Sequence, residues 1–398
     1  MKKAFIVGTC DTKFQELAYA RDLLKKMGVS TLLVDVGSNS HDHPVDIRNK
    51  EVGAFHPEGA GFLENPTDRG KTVGAMGIAL ERFFASRNDI GGVLGMGGSG
   101  NTSLVTRGMR HLPIGTPRVM VSTMGSGNVA PYVGPNDICM IYSVTDVAGL
   151  NSISRKVLGN AAHALGGMML HPVPEGTQGK PLLGLSMFGV TTPCVESVRQ
   201  LLEEEYECMV FHATGTGGQS LEKLIDSRMI PYVLDITLTE ICDHLFGGVL
   251  SAGEDRLGAI LRTGIPYVAS VGAQDMVNFG ALETVPEKYK NRNLYVHNDQ
   301  VTLMRTTPEE NRLMGEWIGN KLNRCNGPVR FLLPEKGVSM IDAPDMPFYD
   351  PEADRALFEA LERTVEQTEQ RRLIRVPHHI NDEAFARALV ENFREIAG

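Results

Sequence analysis

The residues with the clearest chemical potential form a string, Gly-Ser-Gly-Asn, that occurs twice. It stands at Gly98–Asn101 and again at Gly125–Asn128. Glycine lets backbone N–H groups approach an anion closely, and serine and asparagine add side-chain donors. Donors grouped in this way favour the binding of a phosphorylated ligand.

Short apolar runs precede both copies and indicate the elements that position them. Gly92–Leu94 comes shortly before the first copy and Val119–Val121 before the second. An apolar run that ends in glycine and serine is typical of a strand that turns sharply at its carboxyl end. In an open α/β sheet, ligands sit at that edge. We therefore predict that both loops line one binding site.

Strand-like and helical patterns alternate over the first half of the chain. Residues 4–8, 30–36 and 118–122 are strand-like, and helical patterns at 69–87 and 151–170 lie among them. Strands that alternate with helices predict a parallel sheet covered on both faces.

The same alternation begins again after residues 171–181, which are rich in proline and glycine and predict a linker. Strand-like runs at 182–188, 208–211 and 232–236 each enter a polar loop. The loop at Thr214–Gly218 contains three glycines and resembles the Gly-Ser-Gly-Asn loops in its place after a strand.

We predict an α/β fold with two Rossmann-like, doubly wound parallel-sheet subdomains and a cleft between them. Residues 1–175 would form an N-terminal nucleotide-binding domain, and residues 181–398 a C-terminal domain. The two halves share the same order of strands, loops and helices, but any two doubly wound domains would show this similarity as well.

Composition and charge exclude several classes of protein. The chain has 398 residues, of which 42% are hydrophobic and 22% charged, with a net charge of −9. An acidic chain without a long apolar run is not expected to bind nucleic acid or to span a membrane. The apolar start favours a first strand over a signal peptide, so we expect a cytoplasmic protein. The six cysteines form no CxxC pair, which argues against a zinc ribbon.

Three further motifs are weaker. Gly95–Gly100 matches GxGxxG, but the next strand ends in Ser122-Thr123 rather than an acid, which disfavours NAD. His41-Asp42-His43 has the spacing of a metal pair, yet no third ligand follows from the sequence, so we predict no metal-ligating residues. No nucleophile with an adjacent base emerges. The catalytic residues are therefore unknown, and whether the protein is an enzyme stays open.

Seven strings in this chain are familiar in combination. They are Gly8–Lys13, Gly97–Thr102, His212–Gly218, Gly247–Gly253, Asp275–Gly280, Thr302–Thr307 and His379–Asp382. In this order, and over nearly the whole length, they resemble the uncharacterised family that shares the ATP-binding domain of the tomato mosaic virus resistance protein.

The resemblance implies two Rossmann-like subdomains, ATP binding and a homodimer. In the plant protein a TIM-barrel-like domain follows, and this chain stops at Gly398. A separately encoded TIM-barrel-like protein is therefore an expected partner. The resemblance supplies no reaction.

We predict an ATP site, with Mg²⁺ to offset the phosphate charge. The predicted contacts come from four loops: Gly8, Thr9, Asp11, Thr12 and Lys13; Gly97, Gly98, Ser99, Gly100, Asn101 and Thr102; Thr123, Gly125, Ser126, Gly127 and Asn128; and Thr214, Gly215, Gly217 and Gly218. Two alternatives remain, a nucleotide-sugar glycosyltransferase with two facing Rossmann domains and a non-enzymatic, nucleotide-regulated interaction module.

Overall fold

The computed structural model describes residues 2–64, 68–173 and 179–398. The chain divides into two compact units, residues 1–175 and 176–398, which we call the first and the second unit. The middle of the predicted linker, residues 174–178, lies outside the described residues.

The first unit is built on a five-stranded parallel sheet in the order β2-β1-β3-β4-β5. The strands are β1 (Lys3–Gly8), β2 (Thr31–Asp35), β3 (Ile90–Gly97), β4 (Arg118–Ser122) and β5 (Cys139–Tyr142). The helices are α1 (Cys10–Lys26), α2 (Asn49–Gly53), α3 (Arg69–Ala85), α4 (Ser99–His111), α5 (Ala130–Val133) and α6 (Ser152–Leu170).

Alternate residues of β1 explain why helices cover both faces of this sheet. Phe5 and Val7 pack into a core with residues of α3 and α4. Ala4 and Ile6 point to the opposite face and pack into a second core with residues of α1 and α6. Because successive side chains of a strand point to opposite faces, an uninterrupted apolar strand needs a helical layer on each side.

The second unit has a six-stranded parallel sheet in the order β14-β13-β9-β8-β6-β7 and a three-stranded antiparallel sheet in the order β10-β12-β11. The strands are β6 (Leu182–Met187), β7 (Glu207–His212), β8 (Tyr232–Thr237), β9 (Tyr267–Gly272), β10 (Met276–Phe279), β11 (Leu294–Asn298), β12 (Val301–Arg305), β13 (Val329–Pro334) and β14 (Arg371–Val376).

Helices again lie on both faces of the larger sheet. They are α7 (Thr192–Leu202), α8 (Thr216–Asp226), α9 (Thr239–Phe246), α10 (Gly258–Thr263), α11 (Pro308–Leu322), α12 (Pro351–Thr364) and α13 (Glu383–Ala397). Leu234 and Leu332 pack with residues of α7 and α13. Tyr267 and Phe331 pack with residues of α8, α11 and α12.

The two parallel sheets with flanking helices confirm the predicted α/β fold. The antiparallel sheet was not predicted from the sequence, and neither were α12 and β14. In β11, Tyr295 to Asn298 are all exposed, so no alternation of buried and exposed residues marks it as a strand. In the described residues, every helix is too short or too polar to cross a membrane.

Candidate functional site

A cavity of about 540 Å³ lies in the first unit, where the loops after β1, β2 and β3 meet. It is lined by Thr9, Asp11, Thr12, Lys13, Val36, Gly37, Ser38, Asn39, Leu63, Arg69, Thr72, Val73, Met76, Gly98, Ser99, Gly100, Asn101 and Leu104. Volumes of roughly 300–1,000 Å³ are typical of sites for small molecules.

The strand order explains why the cavity is at this place. β1 pairs with β2 on one side and with β3 on the other. The connection after β1 therefore leads to one side of the strand, and the connection after β2 leads back across it. Such a switch point leaves a crevice outside the carboxyl ends of the strands, where open α/β sheets bind ligands.

The N-terminus of α4 faces this crevice. The helix begins at Ser99, and its N-cap, Gly98, offers no side chain to the free N–H groups. The first backbone bond of the turn runs from the N–H of Thr102 to the carbonyl of Gly98, at 2.9 Å. The N–H groups of Ser99 to Asn101 precede it and have no protein acceptor within the described residues. These donors, with the positive end of the helix dipole, favour an anion.

At two positions of this turn, the packing of the protein itself leaves room for a side chain and does not require glycine. A Cβ atom built on Gly98 would have Thr123 Oγ1 as its nearest neighbour, at 3.8 Å, and one built on Gly100 would meet nothing within 4 Å. Gly97 differs, because its φ of +151° is one that other residues rarely adopt. The space beside Gly98 and Gly100 is thus open to a ligand.

The cavity lining combines charged side chains with an apolar surface. Lys13 is half-buried and Arg69 is exposed, and neither forms an ion pair within the described residues. Asp11 accepts hydrogen bonds at Oδ2 from the N–H and the Nδ2 of Asn39, at 3.2 and 2.7 Å. An apolar surface completes the lining, formed by Val36, Leu63, Val73, Met76 and Leu104.

Sequence reasoning missed the loop after β2. Ser38 and Asn39 are polar loop residues that no predicted binding motif includes, and only the fold brings them to the end of β1. Arg69 and Thr72 begin α3, where a charged helix start usually means only a solvated surface. No signal in the sequence distinguishes these residues from ordinary surface residues.

Three further predicted residues shape the cavity without lining it. Gly8 lies under α1, where a Cβ would come within 2.9 Å of Leu17. Thr102 is buried and shares a hydrogen bond of 2.7 Å with Ser122 Oγ, which ties α4 to the end of β4. The N–H of Thr123 donates to the carbonyl of Gly97, at 3.2 Å.

Cys10, Asp35 and His41 lie close enough together to hold a metal ion, but their atoms are already engaged. Asp35 accepts from the N–H of Cys10 at 2.9 Å and lies 3.0 Å from His41 Nε2. His41 Nδ1 accepts the N–H of His43, at 3.1 Å, so its Nε2 carries the proton and donates to Asp35. Burial, reinforced by Asp35, raises the pKa of the Cys10 thiol. The cluster fixes the loop after β2.

The second Gly-Ser-Gly-Asn loop follows β4 and lies outside the cavity lining. Gly125 packs against Tyr142, whose Cα would be 2.9 Å from a Cβ at this position. Ser126, Gly127 and Asn128 are exposed, and Asn128 Oδ1 accepts the N–H of Ala130 at 3.1 Å. The two copies therefore do not form one pocket, and only the first copy lines the cavity.

The glycine-rich loop of the second unit is closed by a side chain of the same unit. Glu240 Oε1 accepts the N–H groups of Gly215 and Gly218, at 2.7 and 3.0 Å. A Cβ on Gly218 would run into the Glu240 carboxylate, and one on Gly217 into the carbonyl of His212. The donors predicted here for a ligand are therefore already used.

Arg256 holds Glu240 in that position. Its Nε donates to Glu240 Oε2 at 2.9 Å, and its two terminal nitrogens donate to Asp235 at 2.7 and 2.6 Å. One of them also donates to Glu222, at 3.1 Å. Burial raises the pKa of Glu240, and Arg256 and the loop N–H groups oppose that shift.

Comparison with known proteins identifies the family. The N-terminal domain model of the uncharacterised protein family UPF0261 matches residues 2–173, and its C-terminal domain model matches residues 180–397. A UPF0261 protein of Rhizobium meliloti (strain 1021) is 56% identical over 397 residues, and the match covers 100% of both chains. The ToMV resistance protein Tm-1 of Solanum lycopersicum is 41% identical over 420 residues, which cover 99% of this chain and 56% of the plant protein.

Similarity to solved structures is weak. UDP-GlcNAc 2-epimerase of Methanocaldococcus jannaschii aligns with 9% identity and a TM-score of 0.26, covering 99% of this chain and 100% of the other. UDP-N-acetylglucosamine 2-epimerase of Rickettsia bellii aligns with 12% identity and a TM-score of 0.24, covering 67% and 78%. Neither alignment carries an argument about this protein. The family models and the relatives together show that the chain belongs to the UPF0261 family, which confirms the kinship with the tomato protein predicted from its motifs.

Proposed function

We propose that the first unit binds ATP in the cavity at the ends of β1, β2 and β3. The observation that supports this most is the open N-terminus of α4, whose free N–H groups and unfilled glycines face a cavity of about 540 Å³. The same turn lies within the family resemblance that implies ATP binding.

The lining supports one orientation of the nucleotide. The phosphates lie against the first turn of α4, with Lys13 and Arg69 beside them. The adenine lies against the apolar surface formed by Leu63, Val73 and Met76. Burial of a flat base on such a surface stabilises binding, while the charge-assisted hydrogen bonds fix the phosphates.

Mg²⁺ has a suitable ligand in Asp11. Oδ2 of Asp11 accepts from Asn39, whereas Oδ1 has one hydrogen-bond donor among the described residues, Thr12 Oγ1 at 3.5 Å. A carboxylate beside a triphosphate is repulsive unless a cation lies between them. Mg²⁺ would offset the phosphate charge, and Asp11 would contribute one oxygen to it.

Isothermal titration with ATP tests the proposal. We expect binding in the presence of Mg²⁺ and a large loss of affinity when EDTA removes the cation. Asp11→Asn should reduce the difference between the two conditions, because it removes the repulsion as well as the ligand. An absence of ATP binding with Mg²⁺ present would contradict the proposal.

The two alternatives predict different outcomes in two further assays. A glycosyltransferase should prefer a uridine nucleotide sugar to ATP in a thermal-shift panel, because the tighter ligand stabilises more. A non-enzymatic module should bind ATP and release it intact after long incubation.

We also propose the homodimer and the TIM-barrel-like partner that the family resemblance implies, and the cytoplasmic location expected from the pattern of the first strand. Light scattering at several protein concentrations tests the homodimer.

A further inference from the structure

The second unit has a larger cavity that the nucleotide proposal does not use. It measures about 820 Å³ and lies beyond the carboxyl ends of β13 and β14. The loop after β13, the first turns of α12 and the loop after β14 form its lining: Glu335, Lys336, Gly337, Ala343, Pro344, Tyr349, Pro351, Asp354, Arg355, Phe358, Arg375, His379 and Asp382.

The loops that form this cavity are held firmly in place. Gly337 has a φ of +124°, and a Cβ there would run into the carbonyl of Asp342. Oδ2 of Asp342 accepts the N–H of Val338, at 2.8 Å. His379 Nδ1 accepts the N–H of Asn381, so its Nε2 carries the proton and donates to the Ser339 carbonyl at 2.9 Å. The shape of the cavity is therefore built into the unit.

Two cations on the lining lack a counter-charge. Lys336 and Arg355 are exposed, and neither forms an ion pair within the described residues. Arg375 differs, because it pairs with Glu335 at 3.2 Å and with Glu362 at 2.7 Å. Two unpaired cations on one concave surface attract an anion more strongly than scattered surface charges do.

A buried carboxyl group adds a polar contact to the cavity. Asp354 lines the cavity although it is only 6% exposed. Its Oδ1 accepts from Arg305 at 2.9 Å. Burial, and next Asp342 beside it, raise the pKa of Asp354 to about 9. The raised pKa disfavours the charged form of this group, so it opposes the binding of an anion less than an ordinary carboxylate does.

Aromatic side chains supply an apolar surface in the same cavity. Phe358 packs under the guanidinium of Arg375, which lies 5.7 Å from the ring centre. Tyr349, in the loop between β13 and α12, is 46% exposed. A ligand with a carbon skeleton as well as a charged group would use both kinds of surface.

We propose that this cavity is a second ligand site, which binds a small organic molecule through its phosphate or carboxylate group at Lys336 and Arg355. The shared chemistry is an oxyanion on a compact carbon skeleton. The site lies within the second unit, and ligand binding there does not require ATP binding in the first unit.

Residue-resolved chemical labelling tests this site. Phenylglyoxal modifies arginine, and peptide mass spectrometry follows Arg355 in the full chain with inorganic phosphate in one arm and succinate in the other. In at least one arm, saturation should slow the labelling of Arg355 by about five-fold or more. The labelling of Arg324, an exposed arginine outside the cavity lining, should not change.

Two lysine variants distinguish protection of Arg355 by a bound anion from general screening of charge by salt. Lys336→Ala should weaken the protection of Arg355, whereas Lys156→Ala, at an exposed position in the first unit, should leave it at full strength. The anion that slows the labelling of Arg355, phosphate or succinate, shows whether the site binds a phosphate or a carboxylate group. Equal slowing of Arg355 and Arg324, no slowing in either arm, or full protection in Lys336→Ala would each overturn the proposal. Because neither probe is a nucleotide, failure here leaves the ATP proposal standing.

Discussion

Two glycine-rich loops of this protein each connect a strand to a helix, but their backbone N–H groups are in opposite states. Gly97–Asn101 follows β3 and leads into α4, and Thr214–Gly218 follows β7 and leads into α8. In the first loop the N–H groups at the helix start face a cavity. In the second, the N–H groups of Gly215 and Gly218 donate to Glu240.

This difference shows that a loop after a strand can require glycine for more than one physical reason. At Gly100 there is open space where a side chain would be, so a ligand can come close. At Gly218 the space is filled by a buried carboxylate of the same unit. A helix N-terminus attracts an anion in either case, and in the second unit that anion is Glu240.

The largest expected effect concerns the ion network that closes the second loop. Arg256→Met would leave Asp235 and Glu240 without their cation in a buried site, which should cost about 3–5 kcal/mol of unfolding free energy. Urea unfolding measures it through the fluorescence of Trp317, which is the single tryptophan of the chain and lies in α11 of the second unit.

Arg262→Met is the matched control for this prediction. Arg262 bonds two carboxylates, Asp226 and Asp255, but its side chain is 46% exposed. Surface pairs contribute about 0–1 kcal/mol, so its loss should be small. Equal losses in the two variants would show that Arg256 does not hold the second loop closed.

Replacement of glycine by alanine should have different effects in the two loops. Gly218→Ala forces a methyl group into the Glu240 carboxylate and should cost about 1–3 kcal/mol of stability in the second unit. Gly98→Ala with Gly100→Ala meets open space, so stability should stay within about 1 kcal/mol. The added methyl groups would crowd the phosphates and weaken ATP binding by about ten-fold or more, or about 1.4 kcal/mol.

Urea unfolding and titration calorimetry measure both effects on the same variants. Gly167→Ala in α6 is the control, because a Cβ there meets nothing within 4 Å and the residue is outside the cavity lining. If it weakened ATP binding as much as the loop variant, the assignment of the phosphates to α4 would be wrong.

The pH dependence of stability should reveal the buried acids of the second unit. Burial raises the pKa of Asp243 and that of Asp275, each to about 7. Both carboxyl groups therefore keep a proton in the folded chain at pH values where the unfolded chain has released it. Stability should fall as pH rises from about 4 to about 7, by about 1.4 kcal/mol per pH unit for each group.

Asp275→Asn sharpens the pH prediction. An amide fits the site, because Asp275 Oδ2 accepts from Ser339 at 2.7 Å while Oδ1 has no partner within the described residues. The variant removes one titrating group, so the slope followed through Trp317 should decrease. An unchanged slope would mean that Asp275 does not titrate in this range.

The smallest expected effect concerns Arg69, an exposed cation of the cavity in the first unit. Arg69→Ala should weaken ATP binding by about three-fold to ten-fold, since an exposed cation contributes roughly 1 kcal/mol to an anion. Titration at low and high salt measures it, and the difference between wild type and variant should shrink as salt screens the charge. Arg228→Ala, in the second unit, is the control and should not change affinity.

The sequence by itself determined most strands of the two parallel sheets, several of the helices that cover them and the first loop. Apolar runs such as the one in β1 have one stable solution, a parallel sheet covered on both faces, so the α/β fold followed from pattern. The exposed strand β11 has no such pattern and was missed. Motifs spread along the chain were enough to indicate the family.

Only the tertiary structure decided which loops share a space. Gly98–Asn101 and Gly125–Asn128 have identical sequences, yet one faces a cavity and the other is packed or exposed. Glu240 is 25 residues from Gly215 in the chain, and no local pattern says that it will occupy that loop. Side-chain direction and strand order bring such residues together, and both are fixed by packing across the sheet rather than by neighbours in sequence.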